Sequence, residues 1–215
     1  MQNQGHIFAK EGHGWVYGSW ILFMVTLPFG KWWLSAPAAV FSLFSMWFFR
    51  NPEREPPKEA GIYVSPADGT VLKVEDHVNE SRYLHQTMKR VSIFMSPFNV
   101  HVNRVPRSGT VVDTIYHHGK YFSANNDKAS LDNEQNAIIV KDEQGRTYMF
   151  VQIAGFIARR IVCYSRAGKE ILVGQRVGLI KFGSRVDIYL PPESEIAVKK
   201  GSHTKAGETI IGRLP

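Results

Sequence analysis

The chain of 215 residues has one cysteine, Cys163, so no internal disulfide can form. Cys163 lies in the apolar run Ile161-Val162-Cys163-Tyr164, the setting of a buried structural thiol. The lack of a disulfide framework is compatible with a reducing compartment. No spacing of His, Cys, Asp and Glu reads as a metal centre, and no metal is expected. His117 and His118 are adjacent, so in a strand they point to opposite faces and cannot share a site. Basic and aromatic residues are not interleaved as base stacking would require, so nucleic acid is not an expected partner. Helical periodicity is absent beyond Phe49.

Charge is missing from one long segment. Between residues 14 and 49 the only Lys, Arg, Asp or Glu is Lys31. Apolar stretches at 15–29 and 32–49 flank it, each somewhat short of the roughly 20 residues of a spanning helix. Trp15, Tyr17, Trp20, Trp32, Trp33 and Trp47 suit the interfacial belts of a bilayer. Pro28 and Pro37 are expected to interrupt helical hydrogen bonding near the middle. The reading is an apolar helical hairpin that spans twice or dips in from one face. Against a cleaved signal peptide, the apolar region is long and resumes after Lys31. Against a hairpin buried in a soluble protein, both faces of each stretch are apolar. Arg50, Arg54 and Lys58 follow, which favours a cytoplasmic location for what comes next. Residues 51–60, with Pro52, Pro56 and Pro57, read as a linker. The expected division is a membrane-associating hairpin and linker over 1–58 and a β-rich domain over 59–215.

What is present elsewhere is a basic excess and β pattern. Lys and Arg number 26 against 19 Asp and Glu, a net charge of +7 that suits an anionic membrane surface. Short alternating or β-branched runs occur at 69–74, 90–95, 109–116, 137–140, 147–153, 157–163, 185–190, 195–198 and 209–213. Turn signals separate them, as in Ala67-Asp68-Gly69 and Arg166-Ala167-Gly168. The fold class is mainly β. Residues 66–71 and 198–212 resemble the closing turns of biotinyl and lipoyl barrels, which implies a barrel-sandwich-hybrid topology. No lysine lies in a carrier-type turn.

Gly183-Ser184 opens the run Val186-Asp187-Ile188-Tyr189-Leu190. Glycine tolerates strained backbone and lets another group approach its carbonyl. A serine hydroxyl poised there can attack that carbonyl and turn the peptide into an ester. Elimination would leave the new N-terminus as a pyruvoyl group, a ketone that condenses with amines and withdraws electrons from them. Gly-Ser also occurs at Gly18-Ser19 and Gly201-Ser202, so the dipeptide alone is equally an ordinary turn. Asp68, in Ser65-Pro66-Ala67-Asp68-Gly69, is a turn former or a carboxylate that orients a histidine. His101 is a satisfied strand histidine or the general base for Ser184. Arg159 and Arg160 are surface charges or the fork that binds an anionic substrate.

Five motifs occur in order: Phe48-Phe49-Arg50-Asn51-Pro52-Glu53-Arg54, Ser65-Pro66-Ala67-Asp68-Gly69, Asn99-Val100-His101-Val102-Asn103-Arg104, Gln152-Ile153-Ala154-Gly155 with Ala158-Arg159-Arg160-Ile161, and Phe182-Gly183-Ser184-Arg185. The set resembles the short, membrane-attached phosphatidylserine decarboxylase proenzymes of bacteria and archaea. The resemblance implies cleavage between Gly183 and Ser184, a covalent pyruvoyl cofactor derived from Ser184, and a maturation triad containing Asp68, His101 and Ser184. It implies decarboxylation of phosphatidylserine to phosphatidylethanolamine at the cytoplasmic face of the cell membrane. The two cleavage products would form an α/β heterodimer, alone or within a larger assembly. Longer family members carry Leu-Gly-Ser-Thr and two histidines three residues apart. Here Phe182 and Arg185 flank Gly-Ser, and Arg104 takes the second histidine's place. His101 therefore serves maturation, decarboxylation or both. Two other readings stand beside this one. A membrane-tethered, non-enzymatic β-domain that binds lipid or a partner predicts an intact Gly183-Ser184 bond. A carrier domain predicts a modified lysine.

Overall fold

The computed structural model describes residues 6–120, 132–155, 160–181 and 183–215. The chain divides into two compact units, 1–53 and 54–215.

The first unit is a helical hairpin of α1 (His13–Thr26) and α2 (Trp32–Phe48). A short 3-10 turn holding Pro28 and a left-handed Gly30 reverse the chain between them. Pro37 lies inside α2 rather than ending it. It falls just past the first turn, where the missing amide removes one hydrogen bond early in the helix. The buried positions are mostly small: Ser19, Ala38, Ser42 and Ser45, with Val16 and Phe48. Ser19 and Ser42 return their hydroxyls to the carbonyls of Val16 and Ala38, at 3.0 and 2.8 Å. Gly12 is held against Phe49, whose ring a Cβ would strike at 2.2 Å. Large apolar side chains face outward instead, including Ile21, Leu22, Val25, Phe29, Trp32 and Leu43. This inverts a water-soluble hairpin, in which such side chains would be covered. At 14 and 17 residues the helices are about 21 and 26 Å long, against roughly 30 Å of bilayer hydrocarbon. Among the described residues no helix is long and apolar enough to cross a membrane.

The second unit is mainly β, as its alternating runs predict. Its strands are β1 (Ile62–Val64), β2 (Gly69–Glu80), β3 (Gln86–Met95), β4 (Val102–Arg104), β5 (Gly109–His117), β6 (Gln135–Lys141), β7 (Thr147–Ala154), β8 (Ile161–Cys163), β9 (Glu170–Ile171), β10 (Arg176–Ile180), β11 (Ser184–Leu190), β12 (Glu195–Ile196), β13 (His203–Thr204) and β14 (Ile210–Arg213). Eight of them form a curled sheet in the order β13-β2-β3-β11-β7-β6-β5-β9. Two three-stranded sheets, β1-β14-β12 and β4-β10-β8, complete the unit. One core joins the inward side chains of the large sheet, such as Ile93, Ile138, Phe150, Val186 and Ile188, to Tyr63, Val105, Val177, Ile180 and Ile211. The opposite face carries a second cluster around Met88, Met149, Val151 and Tyr189.

β1, β4, β9, β10 and β13 lie outside the predicted runs. All but β10 have only two or three residues, too short for an alternating pattern. β10 is interrupted by Gly178, which packs so tightly on β8 that a Cβ would lie 2.1 Å from the Val162 carbonyl oxygen. Of the predicted run 157–163, residues 157–159 lie outside the described residues.

Candidate active site

Ser184 is the first residue of β11 and lies at the centre of the large sheet. It pairs with Met95 on β3 and Ala154 on β7. Its side chain is fully buried, and Oγ donates to the thioether of Met95 at 3.4 Å. Gly183, immediately before it, has φ +61°. Among the described residues apart from its chain neighbours, no heavy atom would lie within 4 Å of a Cβ there, and the demand for glycine shown is conformational. The candidate scissile bond thus joins a left-handed bend to a buried strand.

Two connections run between the same pair of sheets near this bond. β3 pairs with β11 and β4 pairs with β10. The segment from Met95 to Val102 and the segment from Ile180 to Ser184 therefore link the same two sheets. His101 lies in the first and Gly183 in the second. A main-chain bond of 3.4 Å from Ile180 N to the His101 carbonyl ties the two together. The turn containing His101 is built locally: Asn99 Oδ1 accepts from the backbone N and the hydroxyl of Ser96, at 2.8 and 2.7 Å.

His101 is 1% exposed, and its Nδ1 stands 3.0 Å from the Asn99 carbonyl. A carbonyl only accepts, so Nδ1 carries the proton and, in the neutral ring, Nε2 is the basic nitrogen. Nε2 is then the nitrogen that can accept a proton.

Asp68 precedes Gly69, the first residue of β2. Gly69 abuts β3 so closely that a Cβ would lie 2.0 Å from the Phe94 carbonyl oxygen. Register places Thr70 opposite Phe94 and Phe94 opposite Arg185. Asp68 therefore sits at the same end of the sheet as Ser184, with β3 between them. Its carboxylate is gripped by Arg54, bidentately, with Nη2 to Oδ2 at 2.8 Å, and Oδ1 also accepts from the Ala206 amide at 2.8 Å. Arg54 is therefore no free surface charge beside a membrane. Its side chain is 8% exposed and also donates to the Ala206 carbonyl at 2.9 Å. The positive exit from the hairpin rests on Arg50, stacked 4.2 Å over Trp47, and on exposed Lys58.

Arg160 is exposed, and its carbonyl accepts from the amide of Lys181, three residues before Ser184. Arg159 lies outside the described residues, as does Phe182.

Several site features have no single-residue signal. Arg185 and Asp187 form a buried pair, Nε to Oδ1 at 2.6 Å, and Arg185 Nη2 reaches Ser92 on β3 at 2.7 Å. The pair couples β11 to β3 one residue past Ser184, and removing either partner would leave a buried charge uncompensated. On the inward face, Asn103, Gln152 and Asn136 place three carboxamides where the pattern calls for apolar side chains. Their partners come from β4, β7 and β6, so only the folded sheet brings them together. Cys163 is half-buried with its thiol 3.7 Å from the Ser165 carbonyl, and burial pushes its pKa up, as befits a structural thiol.

The profile of the phosphatidylserine decarboxylase family matches residues 41–212. A phosphatidylserine decarboxylase proenzyme of Pelobacter propionicus is 47% identical, with both chains covered in full. Proenzymes of the same name from Geotalea uraniireducens and Geobacter metallireducens are 45% and 42% identical, again over the whole of both chains.

Proposed function

The chain belongs to the phosphatidylserine decarboxylase family, and on that premise we propose that it cleaves itself between Gly183 and Ser184 and then converts phosphatidylserine to phosphatidylethanolamine. The observation that carries the reading is the left-handed Gly183 at the entry to a buried strand headed by Ser184.

In the first step Ser184 Oγ adds to the Gly183 carbonyl carbon and the C–N bond breaks, leaving an ester and a free Ser184 amine. His101, whose Nδ1–H donates to the Asn99 carbonyl, takes the hydroxyl proton at Nε2 and passes it to the departing Ser184 nitrogen. The thioether of Met95 is a weak acceptor, so it orients the hydroxyl and leaves its oxygen lone pairs free. Loss of the Ser184 α-proton then eliminates the Gly183 carboxylate, and hydrolysis of the dehydroalanine releases ammonia. The pyruvoyl group so formed supplies an electron sink for loss of carbon dioxide from an amine joined to it. The residues around Ser184 fit such a group: its place is buried, and the Asn103 amide donates to the same sulfur that receives the Ser184 hydroxyl. Asp68, its carboxylate held by Arg54 and the Ala206 amide, is the proposed third member of the maturation machinery. Arg159 and Arg160 are the candidates for the lipid phosphodiester.

The hairpin fastens this chemistry to the membrane. Its apolar exterior and small-residue interior suit lipid and not water. Its helices are too short to span, which favours insertion from one side, with the catalytic unit at the cytoplasmic face of the cell membrane. The fragments 1–183 and 184–215 remain together as an α/β heterodimer.

The test is release of carbon dioxide from phosphatidylserine vesicles by the purified chain and by Ser184→Ala. The wild-type chain should be active and the variant inactive. Equal activity would contradict the reading. An inactive wild-type chain with an intact Gly183-Ser184 bond would favour a membrane-tethered binding domain.

A further inference from the structure

Behind Ser184 the three carboxamides form a hydrogen-bond chain with one direction. Asn136 Nδ2 donates to Gln152 Oε1 at 3.1 Å, and Gln152 Nε2 donates to Asn103 Oδ1 at 2.9 Å. Asn103 Nδ2 then points at Met95 Sδ, 3.6 Å away, the sulfur that also receives the Ser184 hydroxyl. The direction is fixed by chemistry. Gln152 Nε2 also faces the Val162 carbonyl at 3.5 Å, and a carbonyl cannot donate. Gln152 must therefore present its NH2 group there and to Asn103, which in turn must present oxygen to Gln152 and nitrogen to the sulfur.

All these side chains are buried: Asn103, Gln152, Met95 and Ser184 are fully enclosed, and Asn136 is 2% exposed. Burying three amides in an otherwise apolar face is costly unless they are bonded. Aligned amides polarise one another and strengthen the last donor. Yet that donor ends on a thioether, a poor acceptor, and so retains most of its capacity for a stronger one. The atom on the other side of that sulfur, Ser184 Oγ, gains negative charge in the proposed maturation.

We propose that Asn103 is a catalytic residue of self-cleavage, donating to Ser184 Oγ as that oxygen departs in the elimination step. The inference rests on the self-cleavage proposed above. A base removes the Ser184 α-proton and the C–H electron pair becomes the Cα=Cβ bond. The Cβ–Oγ bond breaks, and its electrons stay on Oγ, now an oxygen of the Gly183 carboxylate. Asn103 Nδ2–H turns from the sulfur to this oxygen. Gln152 and Asn136 are positioning residues that prevent the Asn103 amide from turning over.

The test follows the maturation of freshly made chains by denaturing mass measurement, with and without a pulse of hydroxylamine, which cleaves esters. In Asn103→Leu the ester forms but eliminates slowly. Complete processing should fall on the order of 100-fold, the usual loss for one donor at a developing oxyanion. Hydroxylamine should split the unprocessed chains into a 1–183 hydroxamate and a fragment beginning with serine. A merely structural role would not make the ester accumulate. Processing at the wild-type rate, or unprocessed chains inert to hydroxylamine, would overturn the proposal. Asn103→Asp keeps the shape and the acceptor towards Gln152 but removes the NH2 donor. It should stall at the ester in the same way, and maturation of Asn103→Asp at the wild-type rate would overturn the proposal even if Asn103→Leu failed to fold. A wild-type chain that never cleaves would remove the underlying reading as well.

Discussion

Ser184 draws its meaning from neighbours that no local pattern names. The Gly-Ser dipeptide occurs three times in the chain. At 183–184 it combines a positive φ with a strand whose first side chain is sealed in the core. His101 was legible through its motif, but the Asn99 carbonyl that sets its tautomer was not. Arg54 read as a linker charge because its partner, Asp68, is brought to it only by folding. The Asp68→Asn variant should slow self-cleavage, measured as the fraction of full-length chain over time, and normal maturation would remove Asp68 from the machinery. A second carboxylate governs stability rather than chemistry. Asp142 accepts from Arg107 Nε and Arg146 Nε, at 3.1 and 3.0 Å, and from the amides of Gln144 and Arg146. Burial alone would raise its pKa, but the Arg146 bonds and the Arg107 charge outweigh burial and hold it below the ordinary carboxylate value. A depressed carboxyl stabilises the fold above its unfolded pKa, and that contribution is lost as pH falls through the folded pKa. Wild-type stability should therefore fall as the solution is acidified below about pH 4. Asp142→Asn should cost on the order of 3 kcal/mol at neutral pH, having broken a buried charge cluster, and should show a flatter acid limb in urea unfolding.

At the level of elements, the hairpin and the long strands follow from periodicity and charge, because each reports its own environment. The short strands β4 and β10 do not, since their pairing and burial come from distant parts of the chain. Their pairing nonetheless joins the segment that carries His101 to the one that carries Gly183. The hairpin presents the opposite case: its sequence is apolar all round, and only packing distinguishes the small inner positions from the large outer ones. That distinction carries a prediction. Lysines at exposed Leu22 and Val25 should reduce co-sedimentation with anionic phospholipid vesicles at least tenfold, because each places a charge on the proposed lipid-facing surface. Lysine at buried Ser42 should instead destabilise the hairpin. Unchanged vesicle binding by the Leu22→Lys, Val25→Lys chain would argue against insertion.

For the whole molecule, cleavage at residue 183 would divide the chain without dividing the fold. The 184–215 segment contributes β11 to the middle of the large sheet, β13 to its edge, and β12 and β14 to the sheet that holds β1. Val186, Ile188, Leu190 and Ile211 of this segment lie in the common core. The fragments should therefore co-elute in native buffer and separate only on unfolding. The most direct test of the central claim is the intact mass of the purified protein under denaturing conditions. The account predicts a fragment of residues 184–215 with pyruvoyl in place of its N-terminal serine, beside a 1–183 partner. A single mass for all 215 residues, unchanged on prolonged incubation of folded protein, would contradict it.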